Sequence, residues 1–151
     1  MTEEKTQKYF YKVKLKWKEA KTGVVSSGDR PDIQVSAPVE FDGQQGLWTA
    51  QNLLVASVVS CFMTTFVFQA KKHGLEFSSL DIAAQGLLEK VEDTFMISKI
   101  ELIPHLVIYS LVDKDKAEKV LQRADQFCLI SNSIKSKIFL IPDVEIKTKG
   151  A

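Results

Sequence analysis

The tightest constraint on this chain is the apolar run from Leu53 to Phe68, which one packing surface cannot cover. Thr49 is a natural N-cap and Gly74 a natural stop, so the spacing predicts a helix over Ala50 to His73. Lys71, Lys72 and His73 fall in its last turn, where positive charge suits the helix dipole. Its middle is apolar nearly all round, so it must be enclosed on several sides. The run is shorter than the ~20 residues a bilayer requires. Ser57, Ser60, Thr64 and Thr65 interrupt it, so a buried core helix is expected and not a membrane span. In a chain of 151 residues, a second copy is the obvious source of the missing cover.

Flanking patterns supply the sheet. Tyr9, Tyr11, Val13, Leu15 and Trp17 alternate with lysines, which predicts a half-buried strand with a solvated lysine face. Thr22-Gly23 suggests a turn, and Val24 to Ser26 and Ile33 to Ser36 read as short strands. Leu80 to Val91 and Phe95 to Tyr109 read as a hairpin turning at Glu92-Asp93-Thr94. Pro104 implies that its second strand is bulged or lies on an edge. Asp113 or Asp115 is expected to cap a second amphipathic helix, with Val120, Leu121, Ala124 and Phe127 on one stripe. Phe139 to Lys147 reads as one final strand. Strands, buried helix, hairpin, helix and strand in that order make an α+β domain, expected to span 1–151 with residues 1–8 as a disordered tail.

Charge narrows the function classes. Twenty basic and 19 acidic residues leave a net charge of +1, with no electrostatic footprint for nucleic acid or anionic membrane. The polar N-terminus has no apolar signal core, so a cytoplasmic location is expected, where cysteines stay free or act in redox chemistry. There are two, Cys61 and Cys128. Taken singly, each reads as a small hydrophobe on an apolar helix face. The scattered His73 and His105 offer no metal-ligand spacing, and no glycine-rich phosphate loop is present, so neither metal nor cofactor is expected.

The segments around the two cysteines change that reading. Pro38-Val-Glu-Phe-Asp-Gly43, then Trp48-Thr-Ala-Gln-Asn-Leu-Leu-Val-Ala-Ser-Val-Val-Ser-Cys61-Phe-Met63, resembles the OsmC/Ohr family. Its members show P-x-x-F-x-G followed by W-(T/S/N)-P-E-E-L-L-x-A-A-x-x-x-C-F. Cys128-Leu-Ile-Ser-Asn-Ser-Ile-Lys135 is similar to the family's C-P-(V/Y/I)-S-N-(S/A)-(L/T)-(K/R). The resemblance implies an OsmC-like fold, an intertwined homodimer with paired central helices, and reduction of organic hydroperoxides. It further implies Cys61 as peroxidatic and Cys128 as resolving cysteine, and a dithiol or lipoyl group as reductant.

A thiolate buried in an apolar helix needs a positive partner, which in the family's peroxidases is an arginine held by a glutamate at the start of the central helix. Here Gln51 occupies the glutamate's position, Ala50 the preceding proline's, and Leu129 the proline's after the second cysteine. Arg30 is the one arginine before Cys61 and the candidate for the cationic role. Gln51 can hydrogen-bond a guanidinium but cannot pair its charge. The alternative is a non-catalytic dimer holding a small apolar ligand in the interfacial cavity. A hot-dog-type thioesterase would need a carboxylate near the helix start, where Gln51-Asn52 offers amides.

Overall fold

The computed structural model describes residues 6–148. Most of the expected tail, residues 1–5, lies outside them. The chain divides into two compact units, Met1–Ala50 and Gln51–Ala151.

The first unit is an antiparallel sheet of β1 (Lys14–Glu19), β2 (Thr22–Ser26) and β3 (Ile33–Ser36), in that order. The first turn falls at Ala20-Lys21, two residues before the expected Thr22-Gly23. The Thr22 hydroxyl donates to the Glu19 carbonyl at 2.7 Å and closes the chain there, so Thr22 and Gly23 already belong to β2. The alternation of β1 is real but begins at Lys14 and not at Tyr9, and its apolar row is uncovered: Leu15 is 63% and Trp17 66% exposed. A half-buried strand therefore becomes one exposed on both faces. Beyond β3, Pro38 leads into a single 3-10 turn, Val39–Phe41. The Gly43 amide then donates back to the Pro38 carbonyl at 3.0 Å. A Cβ on Gly43 would run into the Ala37 carbonyl, which is the physical reason this position takes glycine.

In the second unit α1 (Ala50–Lys72) is followed by β4 (Phe77–Val91), β5 (Thr94–Ile108), α2 (Lys114–Gln126), β6 (Lys137–Leu140) and β7 (Asp143–Ile146). By length and composition α1 could cross a bilayer. Val58, Phe62, Phe66, Gln69 and Ala70 are nonetheless buried, the stripe expected of a helix packed on one side. Gly74, at φ +67, ends it in a Schellman turn: the Leu75 amide reaches the Ala70 carbonyl at 2.8 Å, and Leu75 packs into the core. Even residues of β5 (Ile100, Leu102, Leu106, Ile108) meet Val58, Phe62 and Phe66 of α1 and Ala117, Val120, Leu121 and Ala124 of α2. Each such side chain, fully buried, contributes roughly 1.5–3 kcal/mol.

Strand β5 is central and not an edge. It pairs antiparallel with β4 and parallel with both β6 and β7. Leu102 faces Leu140 and His105 faces Asp143, so Pro104 falls opposite Pro142, where β6 hands over to β7. Pro104 lacks the N–H that this ladder would use. Pro142 stands where an N–H would point away from β5, since the Ile141 and Lys147 amides on either side donate to the Leu102 and Ile108 carbonyls. The loss is confined to one gap. The same Pro142 splits the expected single strand Phe139 to Lys147 into two. The register irregularity of β5 lies at Ser98, whose hydroxyl donates to Glu89 at 2.8 Å. Asp113 sits at the N-cap position of α2 without accepting an amide hydrogen bond; Ser110 instead takes the Val112 amide of the preceding turn. Phe127 is the exposed C-cap of α2 and not part of its buried stripe.

Candidate active site

Cys61 lies in the middle of α1 and is partly exposed, one residue before the buried Phe62. Cys128 is fully buried in the turn after α2. The segment that follows folds on itself: the Asn132 amide donates to the Cys128 carbonyl at 3.1 Å, and the Ser133 hydroxyl to the Leu129 carbonyl at 2.8 Å. The Asn132 side chain donates to the Gln126 carbonyl at 3.2 Å. The Ser-Asn-Ser sequence thus builds the turn that turns Cys128 and the backbone of Leu129 and Ile130 toward Cys61.

The two thiols share one site and are driven apart in acidity. Burial pushes the Cys61 thiol up, but the Ile130 backbone, the Cys128 thiol, the Thr65 hydroxyl and the Leu129 backbone together bring it below the ordinary value. The Thr65 hydroxyl lies 4.0 Å from the Cys61 sulfur. Burial pushes the Cys128 thiol up, and the neighbouring Cys61 adds to the rise. Ser131, through hydroxyl and backbone, opposes it. Cys128 Sγ donates a long 3.9 Å contact to the Val58 carbonyl. Cys61 is therefore the more acidic of the two thiols.

Gln51 sits in the first turn of α1, its Oε1 buried and without a hydrogen-bond partner among the described residues. Since α1 is unbroken, ten residues separate it from Cys61 by ~15 Å along the axis. Within one chain these two do not share a site. Arg30 is exposed, in the turn closed by its own amide on the Ser27 carbonyl at 3.1 Å, and belongs to the first unit. Two contributors were missed in the sequence. Thr65 stands four residues after Cys61, a helical spacing that could have flagged it. The amides after Cys128 carry no side-chain signal at all.

Comparison with known proteins gives the family of the chain. Residues 43–141 match the family described as OsmC-like protein, and the chain belongs to that family. It is 24% identical over 131 residues to the YmaD protein of Bacillus subtilis (strain 168), covering 85% of this chain and 87% of that one. It is 27% identical over 108 residues to peroxiredoxin OsmC of Escherichia coli (strain K12), covering 72% and 73%. A solved OsmC-like protein of unknown function from Vibrio cholerae superposes with a TM-score of 0.82 at 19% identity, covering 89% of this chain and 99% of that one. The fold is OsmC-like α+β.

Proposed function

We propose that the protein is a thiol-dependent peroxidase that reduces organic hydroperoxides. The observation that carries this reading is the pairing of Cys61 and Cys128 in one site with their acidities shifted in opposite directions. The Cys61 thiolate attacks the terminal peroxide oxygen, the O–O bond breaks, and the departing alkoxide takes a proton to leave as alcohol. Cys61 becomes a sulfenic acid. Cys128 then attacks that sulfur, hydroxide leaves as water with the thiol proton, and a Cys61–Cys128 disulfide forms. A small dithiol or lipoyl-type reductant restores both thiols by exchange. The relative named peroxiredoxin OsmC supports the reaction class.

The working form in this reading is a cytoplasmic homodimer. Met63, Val67 and Phe68 of α1 are 43%, 45% and 62% exposed, a row of large apolar groups on the helix that most needs cover. Arg30 is the proposed cationic partner of Cys61, and Gln51 its proposed orienting residue, contributed in the dimer by the copy other than the one that supplies Cys61. Limiting organic hydroperoxide followed by thiol counting tests the chemistry. Loss of two thiols per chain, one alcohol formed per peroxide, and no turnover in Cys61→Ser are expected. Persistence of both thiols in native protein would contradict the reading. The second reading, a non-catalytic dimer binding a small apolar ligand, draws on Gln51, whose unpartnered carbonyl stands where the family's peroxidases carry a charge.

A further inference from the structure

Cys128 is fully buried, so forming its thiolate costs more than at an exposed thiol. Most of its surroundings add to that cost. The Val58 carbonyl, 3.9 Å from Sγ, accepts the thiol proton and so favours the neutral form. Cys61 opposes ionisation as well. Among the described residues, the two donors that favour the anion both belong to Ser131, its backbone amide and its hydroxyl.

Ser131 stands three residues after Cys128, in the turn closed by the Asn132 amide on the Cys128 carbonyl at 3.1 Å. That spacing sets the two side chains on one face. The Ser131 Oγ is buried, yet among the described residues it makes no hydrogen bond while Cys128 is a thiol. Its neighbours in the turn are committed elsewhere. The Ser133 hydroxyl donates to the Leu129 carbonyl at 2.8 Å, and the Asn132 side chain to the Gln126 carbonyl at 3.2 Å. A buried hydroxyl without a partner costs stability in the resting protein. Beside a buried sulfur it is a donor already aimed where charge develops during reaction.

We propose that Ser131 is a positioning residue for the second half of the reaction, its hydroxyl turning onto the Cys128 sulfur as that sulfur becomes an anion. The inference rests on the peroxidase reading and names the group that assists its resolving step. When Cys128 attacks the Cys61 sulfenic acid, the S–S bond forms and the S–OH bond breaks. Hydroxide leaves as water with the Cys128 proton. Ser131 keeps its own proton and stabilises the anion through which Cys128 passes. When a dithiol then attacks the Cys61 sulfur of the disulfide, Cys128 departs as an anion and meets the same hydroxyl.

The test gives the reduced protein an equimolar amount of cumene hydroperoxide and quenches it at intervals. A dimedone trap counts Cys61 sulfenic acid, and mass spectrometry counts disulfide. In Ser131→Ala the deficit falls on disulfide formation, roughly three- to tenfold at neutral pH, so trapped sulfenic acid accumulates. The deficit shrinks as pH rises, because alkali ionises Cys128 without help. Ser131→Thr, which keeps the hydroxyl, restores the rate. Ser131→Ala melts no lower than wild type, since the hydroxyl it removes has no bond to lose. Ser133→Ala, by contrast, melts lower and keeps the shape of the wild-type pH profile. Disulfide formation as fast in Ser131→Ala as in wild type, or a slowing that is the same at every pH, overturns the proposal. A wild type that forms no sulfenic acid with the peroxide defeats the peroxidase reading instead. Ultraviolet thiolate absorbance of the Cys61→Ser protein then decides Ser131 by itself. A Cys128 midpoint raised by adding Ser131→Ala upholds the role, and an unmoved midpoint overturns it.

Discussion

At the Cys61 sulfur two effects oppose each other, and hydrogen bonding outweighs burial. The donors come from Thr65, one helical turn along α1, and from the turn at Cys128 to Ile130. Alkylation should therefore show Cys61 titrating below, and Cys128 above, the ordinary thiol value. Thr65→Val should move the Cys61 midpoint upward and slow its alkylation at neutral pH. At 4.0 Å the hydroxyl contact is long, so the slowing is several-fold and not orders of magnitude. Coincident titration of both thiols, or no effect of Thr65→Val, would remove the electrostatic basis of the site. The cysteines and their flanking motifs were legible in the sequence because each motif is a local run. Thr65 and the backbone amides were not, because their role depends on which atoms a remote turn brings near.

At the scale of elements, the β4–β5 hairpin was read nearly to its ends because alternation and a two-residue turn are local signals. The turn sets Glu92 at φ 47 and Asp93 at φ 68, a left-handed pair that side chains disfavour. Replacing Glu92-Asp93 by Asn-Gly should raise stability by about 1 kcal/mol in urea unfolding. Of the two alternatives for β5, bulged or at an edge, the edge fails, because a proline seen alone cannot announce a second proline facing it; the bulge lies at Ser98. A different clasp joins β5 to β7: His105 Nδ1 lies 2.8 Å from Asp143 and Nε2 2.9 Å from Glu145, with Asp81 opposite on β4. The hydrogen bond and charge of Asp143, then Glu145, raise the His105 pKa against a smaller opposing effect of burial. A raised folded pKa gives stability that is full below the unfolded value, about 6.5, and lost as pH rises through the folded value. The melting temperature of wild type should exceed that of His105→Gln most at about pH 5.5. The gap should narrow steadily as the solution is made alkaline; a gap constant with pH would show that the imidazole acts through packing alone.

For the whole molecule, the apolar surface on α1 and the uncovered row of β1 make the same demand. Light scattering at micromolar concentration should find a dimer whose melting temperature rises with protein concentration. A stable, well-folded monomer would refute it. The expectation of a partner came from the central helix, whose apolar run from Leu53 to Phe68 one packing surface cannot cover. The facing prolines of β5 and its edge carry one more consequence, for how the chain comes apart. Hydrogen-bonded opening is passed from residue to residue along a ladder, and Pro104 has no N–H to pass it on. The last strand can thus open while its neighbour stays closed, and amide exchange should divide there: Val144 to Ile146 on a fast clock and Ile138 to Leu140 on a slow one.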